Sequence, residues 1–135
     1  MPEWTFEARI ENIPVLTGLV NAELEAADCP MKAQRQIDIA IDELFSNIAN
    51  YAYAPGSGEL SVRFAAEDAP RAVTLTFVDS GRPFDPLSAA EPDTSLPAEA
   101  RAIGGLGIMM VRRIMDDVRY ARRDGRNELS IRKNY

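Results

Sequence analysis

Between Met31 and Tyr53, five apolar side chains fall at steps of four, three, four and four: Ile37, Ile41, Leu44, Ile48 and Ala52. At ~100° per residue this spacing draws one narrow stripe. It predicts a long helix from about Met31 to Tyr53 with a single face that must be buried. Such a helix is stable only against a second layer, so the remaining segments have to supply a sheet or further helices. Off the stripe, Glu43 and Asn47 sit one turn apart and point the same way, with Asn50 on the same side. One edge of the helix therefore carries a carboxylate and two amides.

The flanking segments read as that second layer. Trp4, Phe6, Ala8 and Ile10 alternate with polar residues, as in a half-buried strand. Asn12 is a turn or cap, and Pro14 lies early in a helix that continues to about Ala27 before Asp28-Cys29-Pro30 breaks it. Leu60, Val62 and Phe64 alternate, Val73 to Val78 forms a second strand, and Asp68 to Arg71 turns between them as an antiparallel hairpin. Gly104-Gly105-Leu106-Gly107 opens a third helix with Ile108, Val111, Met115 and Val118 on one face. Tyr120 to Arg122 and Leu129 to Arg132 close the chain as a hairpin around Asp124-Gly125. The expected fold is an α/β two-layer sandwich, with helices on one face of a mixed, mostly antiparallel sheet. Residues 1–135 read as a single domain, and no internal repeat is present.

Composition removes several function classes. The chain has no histidine, which excludes His-based metal sites, Ser-His-Asp triads and phosphohistidine chemistry. Net charge is −6, which argues against nucleic acid as a partner. No apolar run reaches membrane-spanning length, and the first residues lack a signal-peptide pattern. A lone cysteine, Cys29, permits no internal disulfide and reads as a packing residue, so a cytoplasmic setting is expected.

Three local features bear on chemistry, and each has a mundane reading. Glu43 to Asn47 offers a base and a hard oxygen ligand for Mg²⁺, or simply a solvated face. Asp79-Ser80-Gly81 places an acceptor beside a tight turn, suited to an exocyclic amine, or is an ordinary Asp/Gly turn. Gly104 to Gly107 at a helix start suits an anion, or is a hinge; without a following Lys-Ser/Thr it is not a P-loop. The Pro-, Ser- and acid-rich stretch from Pro86 to about Ala102 has the length of a lid or binding loop.

Taken in order, these features resemble the ATP-binding boxes of the GHKL ATPases, the superfamily of gyrase, histidine kinases and MutL. More narrowly they resemble its anti-sigma-factor serine/threonine kinase branch. The segments Asp42 to Tyr53, Asp79-Ser80-Gly81-Arg82-Pro83-Phe84-Asp85-Pro86, Gly105-Leu106-Gly107-Ile108 and Asp124 to Leu129 carry the likeness, which runs from Trp4 to Lys133. The resemblance implies a Bergerat ATP-binding fold with ATP and Mg²⁺ as cofactors. Asn47 would ligate the metal, with Asn50 beside it. Asp79 would accept from adenine, and Gly81 would clear space for the ring. Gly105, Leu106 and Gly107 would hold phosphates under a lid from Pro86 to Ala102. Glu43 would act as base toward a Ser/Thr hydroxyl, and Arg101 would steady charge on the γ-phosphate. The Gly125-Arg126-Asn127 segment replaces the Gly-Thr pair of many members, which bears on one side-chain contact to a phosphate and not on the pocket itself. Implied partners are a STAS-domain anti-sigma-factor antagonist, a sigma factor and a second copy in a homodimer. The alternatives are a non-catalytic nucleotide-binding module that sequesters a partner, a stand-alone histidine-kinase-like ATPase domain, and a plain structural α/β domain.

Overall fold

The computed structural model describes residues 2–85, 87 and 106–135. The elements run β1 (Glu3–Glu7), a 3₁₀ turn (Ile10–Asn12), α1 (Ile13–Ala26), α2 (Met31–Asn47), a π turn (Ile48–Ala52), β2 (Glu59–Asp68), β3 (Arg71–Asp79), α3 (Leu106–Ile114), β4 (Asp117–Arg123) and β5 (Arg126–Asn134). The strands form one sheet in the order β1-β2-β3-β5-β4, and every pairing is antiparallel. The expected element order and two-layer α/β architecture are present.

Strand parity decides what each layer buries. Phe6 pairs with Leu60, Val62 with Phe77, Leu75 with Ile131, and Tyr120 with Leu129, so one face of the sheet is apolar. The stripe residues Ile37, Ile41 and Leu44 are buried, as are Leu16, Val20 and Leu24 from α1. Each fully buried aliphatic side chain contributes roughly 1.5–3 kcal/mol. Phe45 meets Phe6 with ring centroids 6.3 Å apart, joining α2 to the outer strand β1. The opposite face is polar and small: Thr5 bonds Ser61 and Thr76 bonds Ser130, each at 2.9 Å.

Three boundaries differ from the sequence reading. Ile10 is not in the first strand; it is exposed in the 3₁₀ turn. Asn12, read as a turn or cap, lies in that turn at the N-cap position of α1, its side chain donating to Glu7 O and stitching the end of β1 to the helix start. Val118 belongs to β4, although its spacing from Met115 fits a helix. Helix α3 ends at Ile114, whose orphan carbonyl accepts from Lys133 Nζ at 2.7 Å, and the backbone pairing with β5 starts where the Asp116 amide donates to Arg132 O at 2.9 Å. The α-form of α2 ends at Asn47, where the backbone widens into the π turn.

The remaining corners follow local chemistry. Asp124 and Gly125 have φ of 51° and 75°, the left-handed pair that a two-residue hairpin turn requires. Cys29 is buried, its thiol pushed up by burial above all, and its carbonyl accepts from buried Gln34 at 2.9 Å, consistent with a packing role. Ala27 O, at the end of α1, accepts from both Arg71 Nη2 and Tyr135 Oη at 2.9 Å.

Candidate functional site

A cavity of about 300 Å³ opens between the end of α2 and the sheet. Leu44, Asn47, Ile48, Tyr51, Ala52 and Ala54 form one wall. Asp79, Arg82 and Phe84 follow from the end of β3, Ile108 comes from α3, and Tyr120, Asn127 and Leu129 come from the closing hairpin. Apolar walls with a few convergent polar groups are the ordinary make-up of a small-molecule site.

Asp79 is 5% exposed and Asn127 6% exposed. Strand pairing sets them opposite each other on β3 and β5. Asp79 Oδ1 accepts from the Gly81 amide at 2.9 Å and from Asn127 Nδ2 at 3.0 Å. A buried carboxylate is tolerated when donors of this kind surround it. Gly81 was expected to clear the path of a ring. The space it actually clears belongs to the protein: a Cβ there would overlap the Ala52 backbone, so the turn packs flush against the π turn. Arg82 reinforces that seam, its amide donating to Ala52 O at 3.0 Å and its guanidinium to Ala54 O.

Tyr53 closes the same corner. Its hydroxyl accepts from the Ser80 amide at 2.7 Å and donates to Glu59 O at 2.6 Å. Burial is the main cause that raises the phenol above its ordinary range. Gly58 is obligatory beside it, because a Cβ there would overlap the ring.

At the α2 end, Asn47 Nδ2 donates to Glu43 Oε1 at 3.2 Å. Glu43 is half-buried, and burial pushes its carboxyl up; the bond from Asn47 lowers it and the charge of Asp42 raises it further. A Cβ on Gly107 would fall on the Glu43 carboxylate, so with glycine there the start of α3 lies directly against the Glu43 side chain as placed. Glu43, Asn47 and Gly107 thus gather at one place, as the sequence suggested. With Nδ2 spent on Glu43, Asn47 keeps Oδ1 as its hard oxygen donor, the right type for Mg²⁺. Among the described residues, no group of three or more acidic or thiol side chains forms a metal cage.

Asn50 stands apart from this group. It is exposed on the π turn and outside the cavity lining. A π turn takes more residues per turn than an α-helix, so it swings residue 50 away from the Glu43/Asn47 edge. Leu106 opens α3. Arg101, Gly104, Gly105 and nearly all of the expected lid lie outside the described residues.

Tyr120 and Asn127 were not singled out as cavity residues by sequence reasoning. The Gly125-Arg126-Asn127 segment bears on a phosphate contact in the sequence reading; in the structure its Asn127 bonds Asp79. The available signal was parity: residues 127, 129 and 131 share the inward face of β5, and only the first is polar.

Fold and cavity together define a two-layer α/β domain with a nucleotide-sized cleft between helix and sheet. The chain belongs to the histidine kinase-like ATPase domain family, whose model matches residues 6–133. The GHKL resemblance stated from the sequence is therefore correct. A curated relative, the serine/threonine-protein kinase BtrW of Bordetella bronchiseptica, is 30% identical over 95 residues, or 70% of this chain. That alignment spans 66% of the relative's own length, just under two thirds. Among solved structures, a chain in the crystal structure of the SiaB–SiaC complex from Pseudomonas aeruginosa superposes with a TM-score of 0.61 and 17% identity. The match covers 98% of this chain and 89% of that one, a likeness of fold. Among the described residues no helix is long and apolar enough to cross a membrane.

Proposed function

We propose that this chain is an ATP-dependent serine/threonine protein kinase that acts as an anti-sigma factor in a partner-switching module, with residues 1–135 as one functional unit. The observation that carries the reading is the division of one cleft into a base end and a transfer end. Asp79, braced and buried, is the acceptor for the adenine amine; Asn47 lines the same cavity as the metal ligand and donates to Glu43, the base, which lies just behind the lining. The name of the 30% identical relative supports the kinase assignment.

The flat apolar walls formed by Leu44, Ile48, Ile108 and Leu129 bury the purine and exclude water. Asp79 reads the amine, since a carboxylate accepts and cannot donate. Asn47 Oδ1 holds Mg²⁺, which when bound neutralises charge on the phosphates. Burial keeps Glu43 more basic than a solvated carboxylate, so it can take the proton from an incoming Ser/Thr hydroxyl. The protein substrate is a STAS-type antagonist, the sequestered client is a sigma factor, and the working form is a homodimer in the cytoplasm.

The test is incubation with γ-labelled ATP, Mg²⁺ and a STAS protein encoded nearby. Label is expected on a Ser/Thr of that protein. Glu43→Gln is expected to lower the transfer rate by about 10²–10⁴-fold while nucleotide binding persists. Tight nucleotide binding by the unaltered chain without any transfer would instead make it a binding module.

A further inference from the structure

All four hydrogen-bonding positions of the Asn127 side chain are filled by the protein. Its Nδ2 donates to Asp79 Oδ1 at 3.0 Å and to Arg82 O at 2.9 Å. Its Oδ1 accepts from Tyr120 Oη and from the Phe84 amide at 3.4 Å. An amide has two donor hydrogens and two acceptor lone pairs, so nothing remains for a ligand. The orientation is fixed as well. Phe84 N–H can only donate and Arg82 C=O can only accept, so turning the amide over would break both contacts at once.

We infer that Asn127 is a positioning residue that sets purine selectivity through Asp79, with the Phe84 amide and the Arg82 carbonyl fixing its orientation and Tyr120 adding one more anchor. This rests on the reading of Asp79 as the adenine acceptor. Two donors, the Gly81 amide and Asn127 Nδ2, converge on Oδ1 and fix the orientation of the carboxyl group. A 6-amino purine donates to such a group, whereas a 6-oxo purine would set its oxygen against it. The same amide ties the 82–84 segment to β5 through Arg82 O and Phe84 N, so the acceptor and the adjacent turn are fixed by one side chain.

Calorimetry with the imido analogues of adenosine and inosine triphosphate tests this through the ratio of the two affinities. Asn127→Asp is isosteric but sets a second carboxyl against Asp79, so the pair holds a proton that can be donated to a 6-oxo group. The adenosine-over-inosine ratio is expected to fall about tenfold or more, partly because the inosine compound binds better. Tyr120→Phe removes one anchor and is expected to lower the ratio about threefold. Thermal melts confirm that each variant is folded, and Tyr120→Phe decides the matter if Asn127→Asp is not. A purely structural role would weaken both nucleotides equally. A ratio within twofold of the unaltered chain in the folded variants overturns the inference while leaving the adenine reading intact. An unaltered chain that binds neither analogue removes both.

Discussion

The two ends of the cleft are built in opposite ways. At the base end, Asp79 and Asn127 are each about 5% exposed, lie on adjacent central strands, and are held by a closed set of hydrogen bonds. At the transfer end, Glu43 and Asn47 are partly exposed on the last turn of α2 and share a single 3.2 Å bond. A ligand part of fixed shape is best met by a rigid, pre-satisfied surface, because little ordering remains to be done on binding. A charged, metal-dependent part needs unspent valences. On the proposed reading, rigidity follows the ligand's chemistry rather than the layer in which a residue lies.

The largest expected effect breaks the contrast at the base end. Asp79→Ala removes the acceptor and leaves Asn127 Nδ2 short of a partner; adenine nucleotide affinity should fall about 100-fold with or without Mg²⁺, as read by calorimetry. A loss below threefold would show that the base is recognised elsewhere. A smaller, conditional effect belongs to the other end. Asn47→Ala should weaken binding about tenfold in Mg²⁺ and leave it unchanged in EDTA. Equal losses in the two buffers would mean that Asn47 serves the pocket's shape instead of a metal.

The smallest effect concerns stability and sharpens the contrast. Burial holds the Glu43 carboxyl above its ordinary 4.5. For a raised carboxyl the native state binds the proton more tightly, so this group's stabilisation is present below the ordinary value and is lost as pH rises through the raised one. Glu43→Gln has no charge to bury. Its Tm should exceed that of the unaltered chain by about 1–3 °C at neutral pH and converge with it below the ordinary carboxylate range. Melting curves from pH 4 to 8 read this directly, and a variant less stable at pH 7 would refute the stated direction.

Much of the fold was legible because it rests on short-range pattern. Alternation marked β2 and β3, the Ile37–Leu44 stripe marked α2, and Asp124-Gly125 marked the closing hairpin. The boundaries that differ depend on distant partners. Val118, at helical spacing, is strand because it pairs with Ile131 of the last strand. In the π turn Ile48 and Ala52 are only partly buried and Asn50 is exposed, which an ideal period cannot anticipate. At the site, Glu43, Asn47 and Asp79 could be named from motif order. Asn127 could not be linked to Asp79 without the β3–β5 register, which spans 48 residues of sequence.

The Tyr53 phenol has a mechanical consequence. One oxygen atom joins the segment that leaves α2 to the first residue after Asp79, and its proton is committed to a third strand segment at Glu59. Side wall and floor of the cleft are therefore pegged at a single point. A displacement of residues 48–52 would load this one hydroxyl before it reached Asp79.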